Sequence, residues 1–292
     1  MDALAAGGLP RRPGPTVRVR VEEVQGATRH PREDRLATEE PLEIRVTWPG
    51  RPAERLSVTM RTPGHDFELA TGFLLGEGVL RPADLAGVAY CTDADLAPEE
   101  QFNVVTVSLA AAPPHVPAPR YAGPTAGSAA CGVCGKDSVA DALAVHACAP
   151  GRWADLRVGA DVLGALPERL RAAQRVFDRT GGLHAAGLFT AAGEPLVVRE
   201  DIGRHNAVDK VVGARVLADE ETADPVLCVS GRIGFELAQK AAAAGVGIIA
   251  GVGAPSSLAV SLARDAALTV VGFLRPDRCV VYTAPERVLT PS

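Results

Sequence analysis

The apolar residues of this chain change period part-way along it, and that change limits what the chain can fold into. At 17–24, 41–48, 55–61 and 102–109, apolar side chains alternate with polar or charged ones, the period of half-buried antiparallel strands. A stretch with five prolines at 111–128 reads as a linker. Beyond it, short apolar runs near 185–190, 195–199, 226–230, 246–251 and 268–274 alternate with helical stretches from about 206, 233 and 256. That grammar predicts a mainly parallel sheet covered on both faces, with ligands bound where loops leave the carboxyl ends of its strands. Helices are also expected at 67–76 with Asp66 as cap, at 138–147 from Ser138, and at 160–173. The expected fold class is therefore α/β: a β-rich α+β N-terminal domain, smaller than the α/β domain that follows it. The expected boundaries are a disordered leader at 1–15, the β-rich domain at 16–125, a cysteine loop at 126–137 and the α/β domain at 138–292. No internal repeat is apparent.

Bulk properties remove several function classes. The 292 residues are 47% hydrophobic, enough for one large core or two smaller ones. A net charge of -5 without a long single-sign block, and only 4% aromatic residues, argue against a nucleic-acid partner. The N-terminus has no apolar run of the kind a secretory signal needs, and Arg11-Arg12 is followed by Pro13 and Pro15 rather than by such a run. The uncharged stretch between Lys240 and Arg264 is long enough to span a bilayer, but its glycines, Pro255, Ser256 and Ser257 read as helix end, buried strand and new helix start. No membrane partner is expected. Six cysteines without an export signal are expected as thiols in a cytoplasmic protein.

Two of those thiols, Cys131 and Cys134, lie three residues apart among small residues, with Lys136 and an expected helix start just after them. Positive charge and a helix N-terminus both stabilise a thiolate, which can attack a sulfur donor, hold the atom as a persulfide and release it. The spacing alone leaves three chemistries open. Sulfur transfer is one. Structural zinc, with His146 and Cys148 as further ligands, is the second, although their one-residue separation is short for a ligand pair. A dithiol redox centre is the third, although such motifs open the helix after the first strand of their fold. Zinc nucleobase deamination needs His-x-Glu, and none of the six histidines is followed by Glu two residues later.

Three basic turns follow successive strands. The first, 199–210, contains Arg204, His205 and Lys210 around Gly203; the second contains Ser230, Gly231 and Arg232; the third is Phe273, Leu274, Arg275, Pro276, Asp277 and Arg278. Cationic side chains at strand-to-helix turns hold phosphates, so together they point to one pocket for a polyanionic ligand. No Walker loop or GxGxxG is present. His184 precedes a strand among small residues, and both a packed and a site histidine fit it. Glu236 and Lys240, spaced i, i+4, read as a helix-surface ion pair. Cys91, Cys228 and Cys279 read as packing residues.

The motifs Thr71-Gly-Phe-Leu-Leu-Gly-Glu-Gly78, Cys131-Gly-Val-Cys-Gly135, Thr180-Gly-Gly-Leu-His-Ala-Ala186, Arg199-Glu-Asp-Ile-Gly-Arg-His-Asn-Ala-Val-Asp-Lys210 and Ser230-Gly-Arg-Ile-Gly-Phe-Glu236 resemble the FdhD family, sulfur-carrier accessory proteins of formate dehydrogenase. The likeness runs in order over residues 17 to 285, with Gly234 standing where the family pattern has Ser. It implies a C-terminal domain with a cytidine-deaminase-like fold, and a homodimer. It further implies a sulfurtransferase that takes sulfur from a cysteine desulfurase as a persulfide. The acceptor would be the bis-molybdopterin guanine dinucleotide form of the molybdenum cofactor, before its insertion into formate dehydrogenase. By the same resemblance Cys131 bears the persulfide, Cys134 is its partner, and Phe273 to Arg278 is the cofactor-binding segment. No permanently bound metal is expected. The alternative is a dithiol redox or zinc-stabilised cofactor-binding chaperone without sulfur transfer.

Overall fold

The structure, a computed structural model, describes residues 12–93, 95–113, 153–219 and 226–290. The cysteine loop and the helix expected from Ser138 lie outside the described residues, as does most of the leader. A hairpin of β1 (Thr16–Gln25) and β2 (Thr28–Ala37) comes first, followed by β3 (Glu40–Trp48), β4 (Arg51–Arg61), α1 (Asp66–Gly76), β5 (Leu85–Tyr90) and β6 (Val104–Leu109). After the gap come β7 (Val158–Gly159), α2 (Ala160–Ala172), α3 (Phe177–Thr180), β8 (His184–Phe189), β9 (Pro195–Asp201) and α4 (Arg204–Leu217). The chain continues through β10 (Val226–Val229), α5 (Phe235–Ala243), β11 (Ile248–Gly251), α6 (Ser257–Asp265), β12 (Thr269–Arg275), β13 (Arg278–Val281) and β14 (Val288–Leu289). The class is mixed α/β. Among the described residues no helix is long and apolar enough to cross a membrane, and 240–264 is the helix end, strand and helix start that its glycines predict.

Besides the β1-β2 hairpin and a short parallel β14-β7 pair, one sheet has four strands in the order β4-β3-β6-β5 and another has six in the order β13-β12-β11-β10-β8-β9. The second sheet corrects the expectation of a mainly parallel one. Only β10, β11 and β12 run parallel, while β8, β9 and β13 enter through antiparallel pairings. Short apolar runs carry no direction, because a strand buried on both faces looks the same in either orientation. The hairpin strand β2 is also absent from the pattern reading. Most of its residues are exposed, so pairing with β1 rather than an apolar face makes it a strand. Asp66 is not the helix cap; His65, in the left-handed region, holds that position without a side-chain capping bond. The Asp66 carboxylate instead accepts from Arg61 Nε at 3.0 Å and Tyr90 OH at 2.7 Å.

The six-stranded sheet is covered on both faces. Leu227, Val229, Ile249 and Val270 face a core with α1, α4, α5 and α6, whereas Val226, Cys228, Ile248 and Val271 face Leu163, Leu166 and Leu170 of α2. The first of these cores also holds Leu42, Ile44 and Val107 of the four-stranded sheet, so both sheets close on one helical layer. Within that layer α1 and α4 cross at glycines. A Cβ on Gly72 would collide with the Asp209 carbonyl oxygen, and one on Gly213 with that of Glu68. Backbone contact this close admits no side chain, and overpacking of a rigid core is destabilising. Gly72→Ala and Gly213→Ala are each expected to lose about 3 kcal/mol of stability in urea unfolding, through steric strain rather than lost polar bonds.

Candidate functional site

Because β9 to β12 share one direction and β8 opposes them, the carboxyl ends of four strands and the start of β8 meet along one edge. His184 begins β8 there, opposite Asp201 at the end of β9. The connections beyond the edge touch one another in series. Ser230 N donates to Ala185 O at 3.0 Å, and Ser230 Oγ accepts from Ala185 N at 2.9 Å. Gly253 N donates to Gly231 O at 3.2 Å, and a Cβ on Gly253 would press on Arg232. Phe273 N donates to Gly253 O at 3.1 Å, and Arg275 Nη1 reaches Val252 O at 3.0 Å. The three basic turns expected from the sequence are thus parts of one ledge. The third is a hairpin between β12 and β13, with a register irregularity between Gly272 and Arg275. Phe273 occupies the left-handed region at φ 51, a costly conformation for an aromatic residue, and its ring is exposed.

Beneath the ledge, the charged segment 199–210 turns mostly inward. Asp201 is fully buried: its Oδ1 accepts from Gly203 N at 2.8 Å and Asn206 Nδ2 at 3.0 Å, its Oδ2 from Thr62 N at 3.1 Å. Lys210, 1% exposed, places Nζ 2.7 Å from Asp201 Oδ2 and donates to Thr62 O at 2.9 Å and to Glu200 O at 3.3 Å. It therefore has no proton left for a phosphate, which corrects its expected role. His205 is likewise buried, with Nε2 2.6 Å from Glu236 Oε2. Glu236 and Lys240 are not a surface pair, because α5 turns this face into the helical layer. Lys240 Nζ binds both Asp209 oxygens, at 2.7 and 2.9 Å, under the ring of Phe73. Burial pushes the Asp209 carboxyl up to about 6, against the pull of Lys240.

Arg204 differs from its neighbours. It opens α4, is half-buried, and its Nε is shielded from solvent without a hydrogen-bond partner among the described residues. Both α4 and α5 start at glycines, Gly203 and Gly234, without a side-chain cap, whereas Ser256 Oγ caps α6. Two uncapped helix N-termini therefore face the ledge that carries Arg204, Arg232, Arg275 and Arg278, an arrangement that attracts anions. Beside it opens a cavity of about 610 Å³ whose lining includes Leu170, Arg171, Gln174, Phe177, His184, Ile202, Ser230 and Val252. Its outer wall is held by Glu200, whose carboxylate accepts from Val176 N at 2.9 Å and Phe177 N at 2.7 Å. Partial burial holds the His184 imidazole below its ordinary value, and the charges of Arg204 and His205 lower it further. His184 is exposed at the rim of this cavity, so the packed reading does not hold.

Cys131 and Cys134 lie outside the described residues. Of the three cysteines expected to pack, Cys228 is fully buried with its thiol pushed up to about 12, and Cys279 packs half-buried against the same core. Cys91 departs from that expectation, since its Sγ donates to Asp93 Oδ2 at 3.0 Å.

With the ledge and its supports described, comparison with known proteins is decisive. The FdhD/NarQ family pattern matches residues 37–289. The chain belongs to the FdhD/NarQ family. Among its relatives, the sulfur carrier protein FdhD of Streptomyces coelicolor is 49% identical over 94% of this chain and 95% of its own length. The protein of the same name from Mycobacterium tuberculosis is 50% identical over 88% and 92%. A crystal structure from Desulfotalea psychrophila, assigned as a formate dehydrogenase accessory protein, superposes with a TM-score of 0.68 at 22% identity, covering 94% of this chain and 99% of its own. That likeness shows the fold.

Some residues of this FdhD/NarQ site were not read from the sequence. Gln174 precedes the Thr180-Gly-Gly motif in a stretch without a periodic signal, and only folding brings it against β8. Thr62 and Glu68 lie far from 199–210 in sequence; Glu68 grips Arg199 with both oxygens, at 2.6 and 2.7 Å. Burial pushes the Glu68 carboxyl up, but its bonds to Arg199 and His65 outweigh that and hold it at about 2, against 4.5 unperturbed. A depressed carboxyl stabilises the fold above its unfolded value, and this support is lost as pH falls from about 4.5 toward 2. Acid unfolding of Glu68→Gln, followed by circular dichroism, should have a shallower pH slope in that window than the parent. Arg204→Gln should raise the His184 titration midpoint, read from its imidazole proton shifts in NMR, because one of the charges that lowers it is gone.

Proposed function

We propose that the protein is a sulfur carrier that receives a persulfide from a cysteine desulfurase on Cys131, assisted by Cys134. It would pass the sulfur to bis-molybdopterin guanine dinucleotide molybdenum cofactor destined for formate dehydrogenase. The observation that carries this reading is the ledge: arginines and two uncapped helix N-termini converge beside a ligand-sized cavity. A substrate with two pyrophosphates fits that donor set, because among the described residues the buried Arg204 Nε lacks a partner and the helix starts at Gly203 and Gly234 carry no side-chain cap. The name sulfur carrier protein, borne by relatives about half identical to this chain, supports the same reading.

In this proposal Arg204, Arg232, Arg275 and Arg278 neutralise the phosphates, and Phe273 presents an exposed aromatic face beside them. His184, held below its ordinary value, meets the substrate as neutral imidazole at neutral pH. His205 and Lys210 act from below, by fixing the start of α4. The reading also includes a homodimer, a cytoplasmic location and a cytidine-deaminase-like C-terminal unit. What supports the last is the strand order β9-β8-β10-β11-β12 with helices on both faces.

Incubation with a cysteine desulfurase and cysteine should add about 32 Da, one sulfur atom, to the intact protein, removable by reductant and absent in Cys131→Ala. A protein that stays at its parent mass, or that carries stoichiometric zinc on the same cysteines, rules the carrier mechanism out.

A further inference from the structure

The six-stranded sheet ends on a strand with one open side. Among the described residues β9 pairs only with β8, in a register that sets Val198 opposite Gly187 and Glu200 opposite Ala185. Ala185 N and O both bond to Ser230, on the β10 side of β8. Residues of an antiparallel pair alternate between exchanging hydrogen bonds and not, so Val198 and Glu200 are the positions that do not bond β8. Their peptide groups point away from the sheet. Side chains reach them from that outer side: Val198 O accepts from Arg199 Nη1 at 2.9 Å, and Glu200 O from Lys210 Nζ at 3.3 Å. The two carbonyls are thus served, whereas the N–H groups of Val198 and Glu200 meet no acceptor among the described residues. An edge in this state is a template for another strand.

Along this edge runs a groove of about 870 Å³. It is lined by Val198, Arg199 and Glu200 in succession, and successive side chains of a strand point to opposite faces, so the groove follows the edge itself. It shares only Leu183 with the cavity beside the ledge. Pro63, Ala172, Ala173, Val176 and Leu183 give it apolar walls. Its charges are uneven. Glu200 is its one carboxylate, and the amides of Val176 and Phe177 hold both oxygens. Arg199 and His65 are bound to Glu68, Lys210 to Asp201, and Arg169 to the Ala192 and Gly193 carbonyls. Arg175 is exposed, and its guanidinium has no partner among the described residues. Two amide donors, one unpaired cation and apolar walls call for a chain with carbonyls, a carboxylate and apolar side chains. We infer that an extended acidic segment of a partner protein adds itself as a further strand along β9, with an apolar side chain in the groove and a carboxylate on Arg175. This docking edge is separate from the ledge and goes beyond the sulfur-carrier reading.

The test uses the full-length protein and the fluorescence anisotropy of a labelled eight-residue peptide of alternating glutamate and valine. The wild type should bind it about tenfold or more tightly than the matching lysine and valine peptide. Arg175→Glu, at an exposed position, should weaken the acidic peptide about tenfold and strengthen the basic one. Val198→Pro removes an outward N–H without touching the ladder to β8, at a position where an edge strand accepts proline, and should weaken the acidic peptide about tenfold. Circular dichroism shows whether that variant is folded; if it is not, Arg175→Glu decides alone. A wild type that binds both peptides alike overturns the inference, as does either variant, folded, that binds the acidic peptide as the wild type does. Pyrophosphate at constant ionic strength should leave the binding unchanged, and competition would place the peptide on the ledge and overturn the inference. Sedimentation tests a second copy as the occupant. A folded Val198→Pro that forms a smaller assembly than the wild type assigns the edge to self-association and overturns the partner reading.

Discussion

The structure depends on one buried carboxylate. Asp201 has no exposure to water and gathers Lys210, Asn206, Gly203 and Thr62, so it joins the end of β9, the start of α4 and the end of β4. A charge placed so deep is tolerable only when fully paired, and removal of either partner of such a pair leaves an uncompensated ion. The geometry of the ledge follows from this point. Asp201 fixes Gly203 as the first residue of an uncapped helix start, sets Arg204 at its mouth, and lies opposite His184 across β8 and β9.

The same constraint explains why a segment so rich in charge exposes so little of it. Along α4, His205, Asn206, Asp209 and Lys210 occupy one helical face, which packs toward α5 and the end of β4. Each finds its partner on another element, and the glycine crossing of α1 over α4 keeps those partners within bonding distance. The cations that remain for a ligand are those at the ends of elements, Arg204, Arg275 and Arg278, and Arg232 in the turn after β10, where packing turns a side chain inward least.

Much of the fold was legible in local pattern. Alternation marked β1, β3, β4 and β6, and the apolar runs marked β8 to β12, because strand and helix periods are written in adjacent residues. The edge carrying the basic turns was legible for the same reason, since strands alternating with helices place their following loops together. Strand direction was not, and β8 and β13 run against β9 to β12. The roles of Lys210, His205, Glu236 and Lys240 were misread because burial depends on elements distant in sequence. Nothing in the residues around Lys210 announces that Thr62 will stand against it.

The sequence by itself determined the family, through motifs whose order and spacing span most of the chain, and it determined the positions of most secondary structure. Tertiary structure alone decided which charges are structural and which are free. It buried Asp201 against Lys210 and His205 against Glu236, and among the described residues it left Arg204 with an unpaired nitrogen. The physical reason is that hydrogen-bond satisfaction is a property of three-dimensional neighbours. A one-dimensional string specifies which groups exist, and only the folded chain specifies which of them have met.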